Sequence, residues 1–143
     1  MTDDPALDRF VEAQAPVYAH ALGEIRSGAK RSHWMWFVFP QLAGLGHSPA
    51  ARHFAIRSRD EARAFLDHPV LGPRYRECVR ALEDLRTSDP VAVFGEIDAM
   101  KLRSSLTLFE AVRPDPSIAA VLDRWFGGVR DPLTLRLLGI SNG

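Results

Sequence analysis

Residues 98–112, DAMKLRSSLTLFEAV, form the longest segment of helical periodicity in this 143-residue chain. Its apolar side chains recur every three or four positions, at Leu102, Leu106, Phe109 and Val112. Such spacing places apolar residues along one face of an α-helix. The pair Asp115-Pro116 follows, and an aspartate cap with proline at the first helical position is typical of a helix start. This part of the chain therefore predicts consecutive helices.

The same boundary signal, a capping residue followed by proline, occurs three more times, at Ser48-Pro49, Asp89-Pro90 and Asp131-Pro132. Ser58 and Glu61 form a capping box that marks a fifth start. Glycines that follow apolar stretches mark helix ends at Gly28, Gly95, Gly127 and Gly139. The spacing of starts and ends predicts a compact, all-α, multihelical fold of about seven to nine short helices.

The aromatic run Trp34-Met35-Trp36-Phe37-Val38-Phe39 is too short for periodicity to separate a buried strand from a buried helix. No second strand-like run is present to pair with it, and a lone strand leaves its backbone polar groups unmatched. We therefore expect a short buried helix, capped by Ser32 and ended by Pro40.

The composition is that of an ordinary globular domain, with 46% hydrophobic and 25% charged residues. We expect a single domain over residues 1–143. The one cysteine, Cys78, cannot form an internal disulfide, and the N-terminal residues 1–5 are acidic where a secretory signal would be basic. No apolar run is long enough to span a membrane. These features predict a cytoplasmic protein that does not enter the membrane.

The charges are unevenly distributed, although the net charge is zero. Residues 26–63 hold seven Lys or Arg side chains against two acidic ones. A protein that binds nucleic acid usually carries a basic excess over the whole domain, so we do not expect nucleic acid as a partner. A local site for a small anion would need only the local excess.

Common catalytic and metal-binding motifs are absent from the sequence. It contains no phosphate-binding glycine loop, no H-E-x-x-H and no C-x-x-C. Five histidines occur at spacings that match no familiar metal site: His20, His33, His47, His53 and His68. We therefore expect no metal and no cofactor.

A first polar cluster runs from Lys30 through Gln41 to Gly46. It starts with Lys30-Arg31-Ser32-His33-Trp34 and continues past Trp36 to Gln41 and the Gly44/Gly46 loop. One interpretation is a helix end whose cations favour the negative end of the helix dipole, followed by core and a turn. The other is a ligand site, because a glycine-bearing loop lets backbone N–H groups approach a bound molecule.

A second polar cluster lies at the start of the longest helix. Asp98 is expected to cap this helix, and Lys101 and Ser105 share one of its faces because they are four residues apart. Such a face is usually solvated. If it lines a cleft instead, Asp98 is the candidate acid or base and Lys101 is a partner for an anion.

The first cluster also carries a family resemblance. The strings Lys30-Arg31-Ser32-His33-Trp34-Met35-Trp36, Phe39-Pro40-Gln41 and Gly44-Leu45-Gly46 closely resemble the bacterial family called domain of unknown function 1810. Members of that family often carry the name calpastatin. The likeness extends to Thr134-Leu135 and so covers nearly the whole chain. It implies a compact, mainly helical domain and implies no activity.

Two functional hypotheses follow, and the residues leave open whether the protein is an enzyme. The first is a pocket that binds or hydrolyses an anionic, nucleotide-like or ADP-ribose-like molecule, with Asp98 as candidate catalytic group. Its expected ligand-binding residues are Lys30, Arg31, His33, Trp34, Trp36, Gln41, Lys101 and Ser105. It requires that Gln41 and Lys101 face one shared hollow. The second is a protein-interaction module that uses an exposed patch of Trp34, Trp36 and Trp125.

Overall fold

The computed structural model describes residues 5–140, so residues 1–4, with most of the acidic N-terminal stretch, and residues 141–143 lie outside it. Within the described range a 3₁₀ turn at Pro5–Leu7 precedes ten α-helices, and the only β-pairing is one isolated bridge between Leu42 and Ile56. The helices are α1 Asp8–Gln14, α2 Tyr18–Ser27, α3 Met35–Val38, α4 Pro49–His53, α5 Arg59–Asp67, α6 Leu71–Asp84, α7 Pro90–Phe94, α8 Glu96–Val112, α9 Pro116–Phe126 and α10 Pro132–Leu137.

The all-α prediction is confirmed. The described residues form ten helices rather than seven to nine because several of them are single turns, such as α3 and α4, which are too short to show a periodic pattern. None of the described helices is both long enough and apolar enough to cross a bilayer.

The five predicted helix starts are confirmed at α4, α5, α7, α9 and α10. In each case the side-chain oxygen of the capping residue accepts a backbone N–H from the first turn. Gly28 and Gly127 end α2 and α9 in the left-handed conformation, which costs glycine little. Local capping chemistry therefore fixes most of the chain reversals.

Two of the expected caps are wrong. Ser32 does not cap α3, because its hydroxyl donates to Glu24 Oε2 at 2.7 Å instead. Asp98 does not cap α8, because the helix starts two residues earlier, at Glu96, with Gly95 as its N-cap. Asp98 therefore lies within the first turn of α8, and its carboxylate is available for other partners.

Helix α8 lies at the centre of the fold and packs against α3, α5, α7, α9 and α10. On its inner side Phe109 contacts Tyr75 and Phe65, with ring centroids 4.6 and 5.2 Å apart. The buried apolar side chains form one continuous cluster. The first two turns of α8 bury Ala99 and Leu102 in this core, while Ile97 and Met100 are exposed and form part of the wall of a hollow.

Candidate functional site

The main candidate site is a hollow of about 460 Å³ at the exposed end of α8. We call it the Lys101 hollow. Its walls come from α3, the loop that joins α3 to α4, the first half of α8 and the start of α10. Gln41 and Lys101, which are distant in sequence, both line it, and so does Trp36. The volume falls within the range of small-molecule pockets.

The loop that carries Gln41 is held rigidly. Gln41 O accepts a hydrogen bond from Ile56 N, and Ala43 N donates to Ile56 O, both at 2.8 Å. A Cβ atom at Gly46 would lie 2.7 Å from Ala51 Cβ, so only glycine lets the loop pack this closely on α4. The Gln41 side-chain amide makes no hydrogen bond with the described residues. The backbone at Gln41 is therefore held in place, while its side-chain amide is a donor and an acceptor without a partner in residues 5–140.

Lys101 provides the positive charge of the hollow. Its Nζ lies 4.4 Å from the centroid of the Trp36 ring, a distance at which a cation is attracted to the ring face. The same Nζ lies 3.4 Å from Asp98 Oδ1. The ammonium group is thus positioned by one aromatic ring and one carboxylate.

Asp98 contributes to the site indirectly. Its Oδ2 pairs with Lys30 Nζ at 2.7 Å, while its Oδ1 faces Lys101. Asp98 does not line the hollow. One carboxylate oxygen is paired with Lys30 and the other with Lys101, so the geometry favours a positioning role of Asp98 toward Lys101. The acid–base role expected from the sequence stays a prediction.

Apolar side chains form much of the rim of the hollow. Ile97 and Met100 of α8 are 72% and 64% exposed, and Leu133 of α10 is also exposed. A largely apolar pocket with a few fixed polar groups is the usual architecture of a small-molecule site.

Asp131 is a polar residue of the hollow that is not among the expected ligand-binding residues. The sequence identifies it as the cap of α10 and, with Asp123, as a candidate carboxylate beside the Gly127-Gly128 turn, and the structure places it in the lining of the hollow, where it is 9% exposed. Its Oδ2 accepts hydrogen bonds from Ser104 Oγ at 2.9 Å and from Thr134 Oγ1 at 2.5 Å. The Asp-Pro signal reveals a cap but not which surface the second oxygen faces.

The Lys30–Trp34 segment surrounds a buried carboxylate, Glu24. Glu24 Oε1 accepts Arg31 N at 2.8 Å, Ser32 N at 3.1 Å and Trp34 Nε1 at 2.9 Å. Burial alone would raise the pKa of Glu24, which is 8% exposed, but these donors outweigh burial and lower the pKa to about 2. Sequence analysis missed Glu24, although it lies seven residues after Val17, beside the apolar face of α2.

Three of the expected ligand residues serve the core instead. Trp34 is 1% exposed and donates to Glu24, so it cannot contact a ligand. The Ser105 hydroxyl is fully buried and bonds to Tyr75 OH at 2.9 Å. Lys30 is buried against Trp34 and paired with Asp98. We therefore exclude Trp34, Ser105 and Lys30 from the contact surface of the site.

Arg31 and His33 lie elsewhere on the surface. Arg31 is exposed and lines a separate open groove beside α2, and His33 is exposed but does not line the Lys101 hollow. Of the eight expected ligand residues, the structure thus brings Trp36, Gln41 and Lys101 together at one place. This separation makes Arg31 a natural control for experiments on the hollow.

The tryptophan patch expected for an interaction module is not formed. Trp34 and Trp125 are 1% and 4% exposed, and only Trp36 reaches the surface in part. Within residues 5–140, no three His, Cys, Asp or Glu side chains lie close enough together to hold a metal ion.

Comparison with known proteins places the chain in a family. Residues 4–138 match the family model described as "Protein of unknown function (DUF1810)". The crystal structure of the conserved hypothetical protein Rv1873 from Mycobacterium tuberculosis is 46% identical, with a TM-score of 0.93, and the match covers 96% of this chain and 100% of that one. Comparison with curated proteins gives no match. The predicted resemblance is confirmed, and the chain belongs to the DUF1810 family of proteins of unknown function.

Proposed function

We propose that the Lys101 hollow binds a small anionic molecule that carries a planar ring, of the nucleotide or ADP-ribose class. One observation carries the proposal. Trp36 and Gln41 come from one segment and Lys101 from a second segment that is distant in sequence, and all three line a single hollow of about 460 Å³. Each supplies a different interaction that such a ligand needs.

The ring would bind in the apolar part of the hollow. Trp36 offers an aromatic surface, and Ile97 and Met100 offer aliphatic contacts at the rim. Aromatic pairs gain about 0.5–1.5 kcal/mol beyond the burial of their area. The Gln41 amide, a donor and an acceptor without a partner among the described residues, would hydrogen-bond the edge of the ring.

The anionic group would pair with Lys101. Lys30, Asp98 and Lys101 form a chain of two ammonium groups around one carboxylate, which leaves one net positive charge. Since Lys30 is buried, that charge is accessible at Lys101, beside the hollow. Partial enclosure would strengthen its attraction for an anion relative to bulk water.

The proposal is restricted to binding. Asp98, the expected catalytic residue, does not line the hollow, and both of its carboxylate oxygens are paired with lysines. We also propose a cytoplasmic location, which is supported by a buried cysteine, Cys78, that is not in a disulfide.

Isothermal titration calorimetry with adenosine, AMP, ADP and ADP-ribose tests the proposal. The wild-type protein should bind at least one of the phosphates more tightly than adenosine. Lys101→Ala should weaken that binding by about tenfold to a hundredfold, the value of a hydrogen bond to a charged group. Arg31→Ala, which removes an arginine from a different surface, should bind as the wild type does.

Two results would contradict the proposal. One is that none of the four compounds binds at millimolar concentration. The other is that Arg31→Ala abolishes binding while Lys101→Ala leaves it intact. Thermal melting of both variants, followed by circular dichroism, separates a loss of binding from a loss of folding.

A second candidate function is protein interaction through the apolar rim. Ile97, Met100 and Leu133 are exposed and line the same hollow, and exposed apolar patches often mark a binding surface. Sedimentation velocity over a wide concentration range distinguishes the two. Self-association that is abolished by Ile97→Ser and Met100→Ser, together with no nucleotide binding, would favour the interaction module.

A further inference from the structure

Asp131 carries a carboxylate in the lining of the Lys101 hollow, and the role inferred for it rests on the proposed function. Asp131 caps α10, and all the donors to its side chain reach the same oxygen, Oδ2. They are Ser104 Oγ at 2.9 Å, Thr134 Oγ1 at 2.5 Å and Thr134 N at 3.2 Å. The cap therefore uses only half of the carboxylate.

The other oxygen, Oδ1, has no hydrogen bond within the described part of the chain. It is not sealed in the core either, because Trp125 Nε1 is the one fully buried side-chain nitrogen or oxygen without a partner among the described residues. Asp131 is nevertheless 9% exposed, and it lines the hollow. Its unpaired acceptor is thus open to the space that a ligand would fill.

A second feature of the hollow is the separation of its charges along α8. Lys101 and Ser104 are three residues apart on α8, so their side chains are neighbours on the helix surface, about one turn from each other. Ser104 donates to Asp131, which places the carboxylate one turn away from the ammonium group. A bound molecule would therefore meet a cation at one end and a hydrogen-bond acceptor at the other.

We infer that Asp131 selects a ribonucleotide by accepting hydrogen bonds from the 2′- and 3′-hydroxyl groups of its ribose, while the phosphate pairs with Lys101. A carboxylate repels a phosphate, so the ligand binds in one orientation only. The ribose of a 5′-nucleotide carries its phosphate at one end and its diol at the other, as the two groups of the hollow require. A 2′,3′-dideoxyribose lacks both hydroxyl groups and leaves the Asp131 acceptor unpaired. A dideoxynucleotide should therefore bind less tightly than the ribonucleotide.

Asp131→Asn gives a sharp test because the network fixes the orientation of the new amide. The three donors require an oxygen at the position of Oδ2, so the amide nitrogen must take the position of Oδ1. Asparagine is also a good N-cap, so α10 keeps its start. The substitution thus replaces an acceptor in the hollow with a donor.

The experiment compares AMP with 2′,3′-dideoxyadenosine 5′-monophosphate by calorimetry. The wild-type protein should prefer AMP by about tenfold to a hundredfold, the value of hydrogen bonds to a charged acceptor. Asp131→Asn should lose this preference and still bind the dideoxy compound. Asp89→Asn, which changes the same Asp-Pro cap at α7, should keep the preference.

The outcomes separate the two claims. If the wild type binds both nucleotides equally and Lys101→Ala weakens both, the proposed function stands and the role of Asp131 is wrong. If Asp131→Asn retains the wild-type preference, the role of Asp131 is also wrong. If neither nucleotide binds, the proposed function itself fails. The wild-type comparison needs no variant, so a lack of preference for AMP overturns the inference even if Asp131→Asn does not fold.

Discussion

Glu24→Gln should destabilise the protein at neutral pH by about 3 kcal/mol. The substitution keeps the shape of the side chain and removes its charge, so it resembles a permanently protonated Glu24. The donors around Glu24 lower its pKa from the ordinary 4.5 to about 2. Each pKa unit corresponds to about 1.4 kcal/mol. A shift of this size means that the charged form of Glu24 stabilises the folded protein by roughly 3 kcal/mol more than the protonated form does.

The same shift fixes the direction of the pH dependence. The folded pKa of Glu24 lies below its unfolded value, so its contribution is complete above about pH 5. The contribution is lost as the pH falls toward 2, because the folded protein must then also protonate the carboxylate. The difference in free energy of unfolding between the wild type and Glu24→Gln should therefore shrink steadily from pH 5 to pH 3.

Urea denaturation followed by circular dichroism at pH 7, 5 and 3 measures this difference. Glu12→Gln is the matched control, because Glu12 is exposed and should change stability by less than about 0.5 kcal/mol. A Glu24→Gln variant as stable as the wild type at pH 7 would refute the reasoning. So would a difference between the two proteins that is as large at pH 3 as at pH 7.

Three further predictions concern other parts of the structure. Trp34→Phe should lower the free energy of unfolding in urea by about 2 kcal/mol more than Trp125→Phe does, because Trp34 Nε1 donates to a buried carboxylate and Trp125 Nε1 has no partner among the described residues. Equal losses would contradict this. Trp36→Phe should abolish any change of tryptophan fluorescence caused by AMP, because Trp36 is the tryptophan that lines the hollow; an unchanged response would place the ligand elsewhere. Gly46→Ala should destabilise by about 1–3 kcal/mol through its clash with Ala51, and a neutral effect would show that the loop can move away from α4.

The parts of the fold that depend on local chemistry could be predicted from the sequence. Ser58 and Asp115 cap their helices through N–H groups two or three residues away, so the signal and its partner lie in the same short segment. Asp98 failed as a cap because Gly95, with its positive φ, provides an earlier start. Gly95 and Asp98 were both possible starts of this helix, and the sequence alone does not show which of them is used.

The candidate site was predictable only in part, since it depends on contacts between distant segments. Lys101 and Ser105 share a helix face, yet α8 enters the core between them, and Ser105 is buried against Tyr75. Glu24 holds the Lys30–Trp34 segment through contacts that no local pattern specifies. Asp131 shows the same limit, because its cap is local but its free oxygen faces a hollow built by α8.

A crystal structure of the protein grown with saturating AMP tests the binding site most directly. The difference density should show the base against Trp36 and Met100, with a phosphate oxygen about 3 Å from Lys101 Nζ. The ribose should lie beside Asp131. Crystals that hold AMP only in the groove beside Arg31, or that leave the Lys101 hollow empty, would show that this hollow is not the ligand site.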